Sequence, residues 1–132
     1  MTAKARIVAA DYREQGRRRA LNLGHTLAHA LEPLLNLPHG EAVSLGLSAV
    51  ARTAAAQGTC TPRTARRIIA LLDACGLPTA CPPPPTNAVA RYVARDKKST
   101  AGTVGWVVPT KIGHVAIDVP LPLTTILPHL QP

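Results

Sequence analysis

A mainly α-helical domain carrying one small β-hairpin near residues 103–119 is the fold class this sequence predicts, and three observations predict it. Apolar residues make up 46% of the 132-residue chain, yet aromatics are only 2% and Phe is absent. A core must then be built from Ala, Leu, Val and Ile, which suits packed helices better than a sandwich. Leu21, Leu27, Leu31 and Leu35 recur near the helical period of 3.6. Residues 103–108 and 114–119 are β-rich runs on either side of a turn around Lys111-Ile112-Gly113. The apolar content argues against disorder, and the length suits one domain with a real core.

The elements follow in order. Residues 3–14 have helix-forming composition, and Gly16 interrupts them. A second helix is predicted over residues 17–35. Gly24 inside it costs about 1 kcal/mol relative to Ala, so a glycine there suggests close approach of another backbone or a ligand. Pro33 should kink or end this helix. After the loop Asn36-Leu37-Pro38, residues 39–57 read as an Ala-, Val- and Leu-rich helix closed by Gly58. Thr61-Pro62 opens the next helix as N-cap and first-turn proline. That helix carries Ile68, Ile69, Leu71 and Leu72 and stops at Gly76-Leu77-Pro78. Pro82 to Pro85 form a stiff, extended connector within the domain. A helix over 86–97, capped by Thr86 or Asn87, precedes the hairpin, and residues 120–132 hold one short terminal helix.

The formal charge is +8. It fits an Arg-rich solvated surface or an anionic small substrate. Nucleic acid is disfavoured, because there are few aromatics to stack on bases and no long basic run beyond Arg17-Arg18-Arg19. Cys60, Cys75 and Cys81 are odd in number and contain no Cys-x-x-Cys, so a disulfide framework or thiolate zinc site is not expected. With no signal-peptide core and no apolar run of membrane length, a cytoplasmic chain without membrane contact is expected.

Three of the five histidines fall between residues 25 and 39. Successive helical residues turn by about 100°, so His25 and His29 lie about 40° apart on one face, and Glu32 falls within about 20° of His25. His39 starts the next helix, where a short loop can return it to the same face. Two imidazoles at i, i+4 plus a third from a neighbouring helix suit zinc, which takes N and O donors at about 2.0–2.2 Å. Arg18 and Asn22, at i, i+4, continue the same strip. Arg18 offers a planar fork for phosphate or carboxylate, and Asn22 can donate to or accept from a hydroxyl. Asp96-Lys97-Lys98 ends a helix, where lysines also complement the macrodipole.

Lys4-Ala-x-Ile-Val-x-x-Asp11, Glu14-x-Gly16-x-Arg18, Leu-Asn22-Leu-Gly-His-Thr-x-x-His29-Ala-Leu-Glu32, His39-Gly-Glu-Ala-Val-x-x-Gly46, Cys75-Gly-Leu-Pro78 and Asp96-Lys-Lys98 occur in that order. Together they resemble the C-terminal domain of 3-dehydroquinate synthase, over about residues 3 to 118. The resemblance implies the multi-helical C-terminal fold of the dehydroquinate synthase-like superfamily as a single domain over 1–132, with the N-terminal Rossmann-like NAD-binding domain absent. It implies a shikimate-pathway lyase. A seven-carbon phosphorylated keto-sugar acid loses phosphate and cyclises, with transient hydride transfer to NAD and with zinc, or another divalent metal such as cobalt, as Lewis acid.

By the same resemblance, His25 and His39 are the histidine metal ligands and His29 handles substrate and protons. Lys4, Arg18, Asn22 and Lys97 contact the anionic substrate, and Glu32 is not a ligand. The family's third ligand is a Glu on a preceding segment that has no counterpart here, and its glycine-rich NAD loops are likewise missing. Its usual Phe and Gly after Gly-His-Thr are Leu27 and Ala28. The chain is therefore expected to need an NAD-binding half in trans, and to oligomerise or bind a partner through the former domain interface. A related secondary-metabolism sugar-phosphate cyclase and a non-catalytic remnant or binding module are the competing expectations.

Overall fold

The structure, a computed structural model, describes residues 22–95 and 103–132. Within them the order is α1 (His25–Leu35), α2 (His39–Ala56), α3 (Pro62–Ala74), α4 (Thr86–Arg95), β1 (Thr103–Lys111), β2 (His114–Pro122) and α5 (Leu123–Ile126). A 3₁₀ turn at Leu127–Leu130 follows. The mainly helical class with one hairpin is therefore correct. The helix expected over 3–14 and the beginning of the one expected at 17 lie outside the described residues.

Helix α2 is the centre of the molecule. Ala42, Ser44, Leu45, Gly46, Ser48, Ala49, Val50, Ala51, Thr53 and Ala54 are all buried. Such small side chains let neighbours approach on several sides, and α1, α3, β1, α5 and the 3₁₀ turn all pack on it. The core gathers Leu27 and Leu31 from α1, Leu45 and Val50 from α2, Val89 from α4, Trp106 and Val108 from β1, and Ile126 and Leu130 from the C-terminal segment. It is aliphatic, as composition predicts, apart from the one tryptophan, which is buried in it and donates from Nε1 to the Leu121 carbonyl at 2.9 Å. The buried hydroxyls are paired. Ser44 donates to the Pro78 carbonyl at 2.6 Å, Ser48 to Ser44 at 2.9 Å and Thr53 to Ala49 at 2.8 Å.

Several boundaries differ from expectation. Helix α1 begins at His25 and not upstream, because Gly24 precedes it as the N-cap with φ 80°. That left-handed backbone cannot sit inside a helix, and a side chain there would be strained. The expected close backbone approach is present: a Cβ on Gly46 would overlap the Gly24 carbonyl oxygen. Pro33 removes one amide donor, but α1 continues to Leu35 and closes on Asn36, in the left-handed region at φ 52°. At the end of α2 the cap residue is Gln57, with Gly58 following it. The Gly58 amide bonds to Ala55 O and the Thr59 amide to Ala54 O, a Schellman closure. The N-cap of α3 is as predicted: Thr61 Oγ1 accepts from the Thr64 amide at 3.1 Å, with Pro62 next. Helix α4 starts at Thr86 itself, so neither Thr86 nor Asn87 is its cap. The Pro85 carbonyl accepts from Ala88 and Val89.

The hairpin pairs β1 and β2 antiparallel, from Thr103 opposite Pro122 to Lys111 opposite His114, with irregularities between Trp106 and Val108 and between Pro109 and Lys111. Both strands run past the predicted ends, through Pro109 and Pro120. Among the described residues the sheet has two strands, each with one edge that no other described strand pairs, and such an edge tolerates proline.

Candidate metal centre

The two imidazoles at 25 and 39 are each the first residue of a helix. His25 follows the left-handed turn at Gly24, and His39 follows Pro38, whose extended backbone ends the three-residue loop Asn36-Leu37-Pro38. Gly24 also lies against α2 at Gly46 and Leu47. The start of α1 is thus pressed onto the first half of α2.

This arrangement sets the rings of His25 and His39 with centres 5.5 Å apart at 53°. Two imidazoles sharing one tetrahedral ion at bonds of about 2.0–2.1 Å have ring centres roughly 5 Å apart, so the spacing fits the donor pair. The hydrogen bonds point the same way. His25 Nδ1 lies 3.2 Å from the Leu23 carbonyl, which can only accept, so the proton is on Nδ1. His39 Nδ1 donates to Glu32 Oε1 at 2.7 Å. In the neutral rings Nε2 then carries the lone pair in both residues.

His29, one turn along α1, is exposed, with its ring centre 6.2 Å from that of His25 in an edge-on arrangement. Among the described residues no set of three His, Cys, Asp or Glu side chains is placed to hold a metal ion. The three-imidazole site that spacing alone allowed is therefore not assembled here. Of the two ring pairs, His25 and His39 have the closer centres. Asn22 is half-buried in the turn leading to Gly24 and precedes α1, so the shared helical face inferred for it with His25 does not exist. Lys4, Arg18 and Lys97 lie outside the described residues.

Sequence reasoning missed two residues. Glu32 was set aside as a non-ligand, but it is the acceptor for His39. Its place on the His25 face was the available signal. Gly46 was visible as the last residue of the His39-Gly-Glu-Ala-Val-x-x-Gly46 motif, but its requirement comes from Gly24 packing across from it. The cysteines are all free: Cys60 is buried, Cys81 half-buried and Cys75 exposed. Burial pushes the Cys60 and Cys81 thiols above their ordinary range, which keeps them protonated and poor metal donors. Among the described residues no helix is long and apolar enough to cross a membrane.

Residues 1–99 match the family model described as 3-dehydroquinate synthase C-terminal. The 3-dehydroquinate synthase of Lactiplantibacillus plantarum is 41% identical over 131 residues, covering 98% of this chain and 33% of that protein. That of a Synechococcus strain is 40% identical over 133 residues, covering 98% and 36%. That of Rhizobium meliloti is 41% identical over 130 residues, covering 89% and 34%. The chain thus spans about a third of the length of the curated relatives it matches. Among solved structures, a 2-deoxy-scyllo-inosose synthase complexed with carbaglucose-6-phosphate, NAD+ and Co2+ superposes with a TM-score of 0.83 at 21% identity. The match covers 98% of this chain and 39% of that one.

Proposed function

This chain belongs to the 3-dehydroquinate synthase family, matching its C-terminal domain, and from that premise we propose that it supplies the metal- and substrate-binding part of a 3-dehydroquinate synthase. The NAD-binding part is supplied by another polypeptide or by a longer form of this one. The observation that carries the reading is the His25–His39 pair, with ring centres 5.5 Å apart and both Nδ1 atoms held by acceptors. A ligand pair needs its Nε2 lone pairs available, and hydrogen bonds at both Nδ1 atoms support that reading.

In this reading His25 and His39 hold a divalent metal, zinc or cobalt, which supplies Lewis-acid polarisation of a substrate oxygen. His29, beside His25 and exposed, takes and returns a proton on the substrate side. Lys4, Arg18 and Lys97 neutralise the phosphate and carboxylate ends, and Asn22 orients a hydroxyl. Phosphate leaves as an anion, so a strongly basic chain suits both substrate and product. The three free thiols suit a reducing cytoplasm. Self-association or docking of the NAD-binding half completes the site.

A secondary-metabolism sugar-phosphate cyclase is the second reading, and the fold shared with the inosose synthase is compatible with it. Identity of 40–41% to dehydroquinate synthases against 21% to the inosose synthase ranks it lower. The test mixes the chain with the NAD-binding half of a relative, NAD and zinc, and follows phosphate release from the seven-carbon keto-sugar acid phosphate. Release that is lost in His25→Ala and His39→Ala is expected. No release from this substrate, with both parts folded, refutes the dehydroquinate synthase reading, and no turnover of a panel of other sugar phosphates then leaves a non-catalytic remnant.

A further inference from the structure

We propose that Glu32 is a positioning residue for His39, fixing which ring nitrogen is offered to a metal. The proposal rests on the metal-site reading above and deepens it.

His25 and His39 are held in different ways. The His25 ring is tied to its own backbone two residues back, at Leu23 O. His39 has no such local anchor. It is the first residue of α2, its side chain is 59% exposed, and the cap residue before it is Pro38, which makes no side-chain hydrogen bond. Little packing restrains the ring, so a partner must hold it. Glu32 Oε1 is that partner at 2.7 Å, within the range of short charge-assisted bonds.

Glu32 is well fixed for the role because its backbone is committed as well. Its carbonyl accepts from the Asn36 cap amide and from the Leu37 amide at 3.1 Å. The same residue therefore closes α1 with its carbonyl and ties down the first side chain of α2 with its carboxylate. The three-residue loop is spanned at both levels. A carboxylate accepts only, so the bond places the proton on His39 Nδ1 and leaves Nε2 as the lone-pair donor. Carboxylate–imidazole pairs of this kind orient metal-binding histidines. Glu32 lies on the His25 face of α1, but with one oxygen engaged by His39 it acts through that ring.

The test uses the 132-residue chain as wild type, Glu32→Ala and Glu32→Gln, with zinc as the probe. Long-range proton–nitrogen spectra of the imidazoles near neutral pH read the tautomers, and a zinc titration on the same samples reads affinity. Wild type is expected to hold His39 as the Nδ1–H form. Glu32→Ala is expected to mix both tautomers and to bind zinc about 10–100-fold more weakly. Glu32→Gln keeps a side-chain oxygen acceptor and should restore the tautomer and most of the affinity. A merely structural role would move the melting temperature and leave the tautomer alone. If Glu32→Ala binds zinc as tightly as wild type, or leaves His39 as the Nδ1–H form, the positioning role is overturned and the metal site stands. If the wild-type chain binds no zinc at His25 and His39 either alone or mixed with the NAD-binding half of a relative, the metal-site reading falls and the proposal falls with it.

Discussion

Cys60 and Cys81 give the residue scale its clearest pH dependence. Burial raises both thiols above their ordinary value, so the folded chain holds these protons more tightly than the unfolded chain. Stability from this source is fully present below the ordinary thiol range. It is lost as pH rises from the unfolded value through the raised folded ones. Urea midpoints should therefore fall as pH passes above about 9, and Cys60→Ala with Cys81→Ala should flatten that fall. An unchanged slope in the double variant would refute the assignment. The thiols were legible in the sequence as idle groups, but their burial was not, because no pattern around Cys60 or Cys81 distinguishes them from exposed Cys75. The histidines were legible as a cluster for a local reason, namely spacing on one helix and a short loop. Glu32 as the His39 acceptor was not legible, because that contact depends on the path of Asn36-Leu37-Pro38.

The contact between α1 and α2 is the decisive feature at the scale of elements. Gly46 lies against the Gly24 carbonyl, so Gly46→Ala has no rotamer that avoids the clash and must push the helices apart. A loss of about 1–3 kcal/mol is expected, read from urea unfolding. The same variant should weaken zinc binding, because it moves Gly24, which leads directly into His25. Wild-type stability in Gly46→Ala would mean that the two helices are not this close. Local signals identified elements well where the cause is local. Thr61-Pro62 and the closures at Gly58 and Gly76 are written in neighbouring residues. Gly24 was half legible: its helical cost pointed to the close backbone approach that is present, while the left-handed turn that precedes α1 depends on tertiary packing. Pro109 and Pro120 misled, since a sheet with two strands among the described residues leaves edges where a proline does no harm.

Across the whole molecule, one aliphatic core joins α1, α2, α4, β1 and the C-terminal segment around Trp106. Arg52 on α2 donates to the His129 carbonyl at 3.0 Å, and the Cys81 amide donates to Leu130 at 2.9 Å, fastening the C-terminal segment to the helices. Trp106 fluorescence and far-ultraviolet dichroism should then report one coincident urea transition. Two separated transitions would show that the hairpin and the helices unfold independently. That the chain folds around α2 was foreseeable only in outline. Composition called for aliphatic helices, but which helix becomes central depends on the small residues of 42–54 meeting partners from both ends of the sequence.

The candidate donors at 25 and 39 both belong to the helical hairpin formed by α1, a three-residue loop and α2. A short loop costs little entropy to close, so their meeting is a neighbourly event in the chain and does not wait for the C-terminal segment to dock. Opening of that hairpin dissolves the pair and uncovers the apolar residues that α1 and α2 bury in the shared core. An ion bound there would act as a clasp on the α1–α2 hairpin, and its release rate would report how often that hairpin breathes.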